Sequence, residues 1–111
     1  MASQQMSRIQ KRAVRALALL DSEISVVRGY LFGSYVDGEA DEYSDVDIAA
    51  FIDAGEKLIL RRKVQLMSLV QQNVGDDIEV HLFPASALEG ADTATFTSFI
   101  VRKGKPIAYK H

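Results

Sequence analysis

Asp45 and Asp47 stand two residues apart where a polar stretch gives way to an apolar run, and Glu79 occupies a comparable place in a later apolar run, IEVHLFP. Carboxylates at i and i+2 on an extended chain leave the same face, so Asp45 and Asp47 point to one side. Like charges about 4 Å apart repel by roughly 4 kcal/mol at an effective dielectric near 20, a cost that a bound cation removes. Hard oxygen ligands suit Mg²⁺, which completes its shell with water and substrate phosphates. The chemistry these residues suggest is therefore metal-assisted handling of a phosphate. Glu79 shares the face parity, so three carboxylates converge if the two segments are neighbours. An EF-hand calcium loop is excluded, because its D-x-D-x-D-G spacing and closing Glu are absent. His81 lies on the same side as Glu79, and sequence alone leaves it open as a structural residue, a ligand or a base.

Several elements must position these groups. Ile9, Ala13, Ala16, Leu17 and Leu20 recur at helical spacing, which predicts an amphipathic helix over about 7–20. Its basic residues, Arg8, Lys11, Arg12 and Arg15, read as a solvated face or a phosphate contact. Ser25 to Phe32 predicts a buried strand ended by Gly33. In the second strand, about Asp45 to Ile52, Val46, Ile48, Ala50 and Ile52 share one face and Asp45, Asp47, Ala49 and Phe51 the other. Asp53 and Glu56 read as a capping pair opening a helix that continues to about Asn73, with Leu58, Leu60, Val64, Leu66, Met67, Leu69 and Val70 as a broad apolar stripe. A third strand over Asp77–Phe83 ends at Pro84. A helical turn near Ser86, a helix over about 93–103 and a short edge strand over 106–109 complete the chain. The expected fold class is α+β, a two-layer domain in which a small mixed sheet carries helices on one face.

Composition narrows the function classes. At 111 residues, with 48% hydrophobic and 25% charged residues, the chain reads as a single globular domain over 1–111, its core about 24–110 preceded by the N-terminal helix. No cysteine is present, which excludes disulfides and thiolate metal sites. The N-terminal stretch lacks the apolar core of a signal peptide and no run approaches a membrane span, so a cytoplasmic location is expected. A formal net charge of -2, with six acids between Asp37 and Asp47, gives no general attraction for nucleic acid.

The stretch LFGSYVDGEADEYSDVDIAAFI resembles the signature of the minimal nucleotidyltransferases of the DNA polymerase β superfamily: Gly-Ser, ten residues, then Asp-x-Asp. The upstream VVRGYLFGS, the downstream IEVHLFP and the closing FTSFIVRKGKPIAY extend the likeness over most of the chain from Ile24 onward. The resemblance implies the polymerase β-like fold and a nucleotidyl transfer using two Mg²⁺ ions and ATP or another nucleoside triphosphate. It assigns catalysis and metal binding to Asp45, Asp47 and Glu79, and nucleotide binding to Gly33 and Ser34. Where many relatives read G-S-R-A-R-G, this chain has Tyr35 and Asp37 in place of the arginines, so a compensating cation is expected from Arg28, Lys57, Arg61 or a partner chain. Larger relatives add a helical domain, so the acceptor surface is expected from another molecule. The implied partner is a HEPN-type or other helical protein, adenylylated on a hydroxyl by this chain as the antitoxin of a toxin–antitoxin pair; a homodimer is also compatible. The alternatives are a catalytically degenerate module that neutralises a partner by binding, and an aminoglycoside-type small-molecule nucleotidyltransferase.

Overall fold

The structure, a computed structural model, describes residues 2–33, 36, 38, 45–53, 58–89 and 95–109, with backbone alone for 2–6. Helix α1 (Ala2–Glu23) leads into strand β1 (Val26–Phe32) and then β2 (Val46–Ile52). Helix α2 (Leu60–Asn73) and strand β3 (Ile78–Pro84) follow, then a 3₁₀ turn (Ala85–Glu89), helix α3 (Phe96–Lys103) and the two-residue strand β4 (Lys105–Pro106). The sheet order is β3-β2-β1-β4. β1 pairs antiparallel with β2 and β4, whereas β2 and β3 are parallel, as expected of strands joined by a helical crossover. Among the described residues, no helix is long and apolar enough to cross a membrane.

Alternation along β2 divides the core into two layers. Val46, Ile48, Ala50 and Ile52 join Leu31, Ile78 and Val80 beneath α1 and α2, where Ala13, Ala16, Leu17, Leu20, Leu66 and Val70 are wholly buried. A register shift between Val26 and Arg28 lets Val26 join the same layer as Leu31 despite their opposite parity. Gly29 lies directly under Leu17, whose methyls occupy the place a side chain would take. The other layer is smaller and aromatic: Tyr30, Phe32, Ala49 and Phe51 pack with Ile100 of α3 and, at its edge, Phe83, Ala87 and Leu88. The expectation of helices on one face thus holds for the two long helices, and the short α3 covers part of the opposite face.

The second helix begins later than its sequence predicts. Leu60 is the first helical residue, Ile59 caps it without a side-chain hydrogen bond, and Glu56 lies outside the described residues. Asp53 instead donates its N–H to the Ser25 carbonyl at 2.9 Å, extending the β1–β2 edge rather than opening a helix. The apolar stripe is correspondingly narrower. Leu66 and Val70 are buried, while Leu60 and Val64 are 75% and 52% exposed.

Two members of the basic stripe of α1, Arg12 and Arg15, are engaged within the protein, while Arg8 and Lys11 are exposed. Arg12 donates from both terminal nitrogens to the two carboxylate oxygens of Asp77, at the entry to β3, and Arg15 donates to the Asn73 carbonyl at the end of α2. These contacts clamp α1 to the turn that starts β3. The Arg12 guanidinium holds the Asp77 carboxyl below its usual value of 3.8, against the opposing effect of partial burial. A carboxyl lowered on folding stabilises the native state fully above 3.8, and that contribution is lost as pH falls through the lower folded value. Asp77 is 43% exposed and its pair is screened by solvent, so its removal costs about 1 kcal/mol or less. Urea unfolding of Asp77→Asn should therefore show a small deficit at neutral pH that vanishes in strong acid.

Candidate active site

The parallel ladder sets Asp47 of β2 opposite Glu79 of β3, and Ala49 opposite His81. All four side chains leave the face that carries Phe51, so the acids and the histidine meet on the aromatic side of the sheet. One ligand atom from each of Asp47, Glu79 and His81 lies within 4.8 Å of the other two. His81 Nε2 is 3.2 Å from Asp47 Oδ1. Asp47 and His81 are half-buried and Glu79 is exposed, which leaves the group open to solvent on one side.

Two features of β1 shape the other side of this group. Phe32, paired with Asp47 across the antiparallel ladder, meets the His81 ring edge-on, with centroids 5.1 Å apart. Phe96 of α3 stacks at right angles on Phe32 and also contacts Phe83, at 5.8 and 6.1 Å, and is itself 54% exposed. Gly33 then turns the chain with φ +83°, and a β-carbon there would lie 2.5 Å from Asp47 Oδ2. Both facts demand glycine: the left-handed backbone is strained for an L side chain, and the carboxylate already fills the space. Gly33→Ala should lower stability by about 1–2 kcal/mol, read as a lower urea midpoint.

The site residues expected from sequence divide accordingly. Asp47 and Glu79 come together, and Gly33 abuts them. Asp45 is exposed one residue before β2 and stands outside the Asp47–Glu79–His81 group. Ser34, Tyr35, Asp37 and Lys57 lie outside the described residues. Of the expected compensating cations, the two among the described residues, Arg28 and Arg61, are not at the site. Arg28 lines a groove with Tyr30, Pro106 and Tyr109, four strand residues, or roughly 13 Å, before Phe32. Arg61 is exposed in the first turn of α2, the helix that packs on the opposite face of the sheet. His81 is the member that sequence reasoning left unassigned. Its i+2 spacing from Glu79 is the signal that places it on the same face.

Oxygen atoms of Asp47 and Glu79 form a hard donor set of the type a divalent cation takes, and a cation between them would offset their mutual repulsion. Such an arrangement can hold a cation and present it to an anionic substrate.

Comparison with known proteins bears on what that substrate is. The family profile described as "Polymerase beta, Nucleotidyltransferase" matches residues 16–110. The crystal structure of a candidate nucleotidyltransferase from Sulfolobus solfataricus is similar in fold, with a TM-score of 0.64 at 17% identity over 79% of this chain and 78% of that one. None of the curated proteins matches the chain significantly.

Proposed function

The chain belongs to the polymerase β nucleotidyltransferase family, and from that premise we propose that it transfers AMP from ATP, with Mg²⁺, to a hydroxyl group on a partner protein. The observation that carries the reading is the pairing of Asp47 with Glu79 across β2 and β3, beside the bare backbone of Gly33. Asp47 and Glu79 would hold the cations, with Asp45 reaching in from the rim. Two bound Mg²⁺ ions would supply charge neutralisation at the attacking and leaving oxygens.

The chain's own residues then have separate tasks. Gly33 leaves its backbone free of a side chain where the triphosphate would approach, and the family signature gives Ser34 the task of supplying a hydroxyl and an amide donor. The acceptor oxygen forms a bond to the α-phosphorus, the bond from that phosphorus to the α,β-bridging oxygen breaks, and pyrophosphate leaves with the electron pair. The acceptor's proton passes to Glu79, whose exposure lets it exchange with water. A protein acceptor is supported by exposed apolar groups on α3: Phe96, which stacks on Phe32, and Phe99 are about half exposed and would be covered by a docked partner. A helical partner of HEPN type, with this chain acting as its antitoxin, fits that reading.

The test is incubation with ATP labelled at the α-phosphate, Mg²⁺ and the product of the neighbouring gene. Label should pass to that protein with release of pyrophosphate. Absence of transfer, with Asp47→Asn indistinguishable from the native chain, overturns the proposal. Partner inhibition that survives Asp47→Asn without Mg²⁺-ATP binding would identify a non-catalytic binding module instead.

A further inference from the structure

Resting on the metal-holding role of Asp47 and Glu79, the geometry points to His81 as a direct nitrogen ligand of the same cation, one that shifts the site's preference from Mg²⁺ toward a first-row divalent ion such as Mn²⁺. Three observations converge on this. The β2–β3 register sends His81 to the face of Asp47 and Glu79, and the residue opposite it, Ala49, contributes only a methyl group. The ligand atoms of all three residues lie within 4.8 Å of one another, so the imidazole is grouped with both carboxylates and not with Asp47 alone. Ligands about 2.1 Å from an octahedral ion are about 3 Å apart when adjacent and about 4.2 Å when opposite. Without an ion, His81 Nε2 and Asp47 Oδ1 are within hydrogen-bond distance at 3.2 Å, a spacing that also suits adjacent ligand positions once the nitrogen gives up its proton.

The ring is also held in place before any ion arrives. Phe32 meets it edge-on, and Phe32 is buried and backed by Phe96, so little rotamer freedom is lost on ligation. Imidazole is a poor partner for Mg²⁺, which takes oxygen and dehydrates reluctantly, and a better one for first-row transition ions. A two-carboxylate, one-imidazole set therefore favours an ion that accepts both donor types.

The experiment is electron spin-echo spectroscopy of the Mn²⁺-loaded full chain grown with ¹⁵N-histidine, together with Mn²⁺ titration. The chain has two histidines, so the measurement is made in a His111→Asn background, where His81 alone carries the label. Echo modulation from a directly bonded histidine nitrogen is expected, changing with the isotope. His81→Ala should weaken Mn²⁺ binding about tenfold while Mg²⁺ binding, read by competition, changes by less than about twofold. Absence of nitrogen coupling overturns the proposal, as does equal weakening of both ions, which is what a residue that only positions Asp47 would produce. The isotope measurement needs no change at position 81, so misfolding of the alanine variant would not decide the matter. Asp47→Asn separates the two levels of inference. Loss of Mn²⁺ in that variant without nitrogen coupling in the parent removes only the role of His81, whereas undiminished Mn²⁺ binding removes the metal site itself.

Discussion

Asp47→Asn should lower the rate of nucleotidyl transfer by about 10³-fold or more while leaving the urea midpoint unchanged or slightly raised. The kinetic half follows from where the carboxylate sits. Asp47 meets three members of the site: Glu79 opposes it, His81 Nε2 is 3.2 Å away, and Gly33 yields it the space of a side chain. An amide keeps the shape but loses the charge that holds a cation. Transition-state charge stabilisation by a bound metal is worth several kcal/mol, and about 4 kcal/mol corresponds to 10³ in rate. The stability half follows from the repulsion between Asp47 and Glu79, which exists in the folded chain without its cation and is relieved by the substitution. Steady-state assays of pyrophosphate release and parallel urea titrations check both. A variant that lost activity and stability together would mark Asp47 as a structural residue.

Phe51→Ala should destabilise the fold by about 3–5 kcal/mol, a large share of the 5–15 kcal/mol typical of such a domain. Phe51 is wholly buried in the smaller layer, meeting Tyr30 edge-on at 5.8 Å and Phe83 at 5.4 Å. That layer also holds Ile100 of α3, so its collapse would loosen the helix that backs Phe32 and, through Phe32, His81. Thermal unfolding followed by circular dichroism should show a fall in Tm of roughly 15 °C or more. Phe51→Leu, which keeps most of the buried volume, should lie between the two. A shift of only a few degrees for the alanine variant would mean that the aromatic layer repacks freely and does not fix α3.

Local elements of this fold are legible because they depend on spacing within one segment. Ile9, Ala13, Ala16, Leu17 and Leu20 repeat at the helical period and are all buried on α1. β2 alternates as written, Val46, Ile48, Ala50 and Ile52 on one layer and Asp47, Ala49 and Phe51 on the other. The Gly33 turn was equally readable, since an apolar run broken by Gly-Ser signals a change of direction. The capping pair at Asp53 and Glu56 misled because a cap signal is short, and the Asp53 N–H is used by Ser25 instead. Arg12 was unreadable for a different reason: its partner, Asp77, is 65 residues away.

By itself the sequence determined which side chains share a face within each strand, because alternation is a property of extended backbone alone. It thus placed Asp47 with Asp45, and Glu79 with His81, as two separate pairs. Only the tertiary structure decided how those pairs meet. The parallel β2–β3 register sets Asp47 opposite Glu79, brings His81 into the group and leaves Asp45 outside it. Register is a long-range choice, made by how the apolar faces of β2 and β3 fit beneath α1 and α2, and a slip of one residue would have sent Glu79 and His81 into the core.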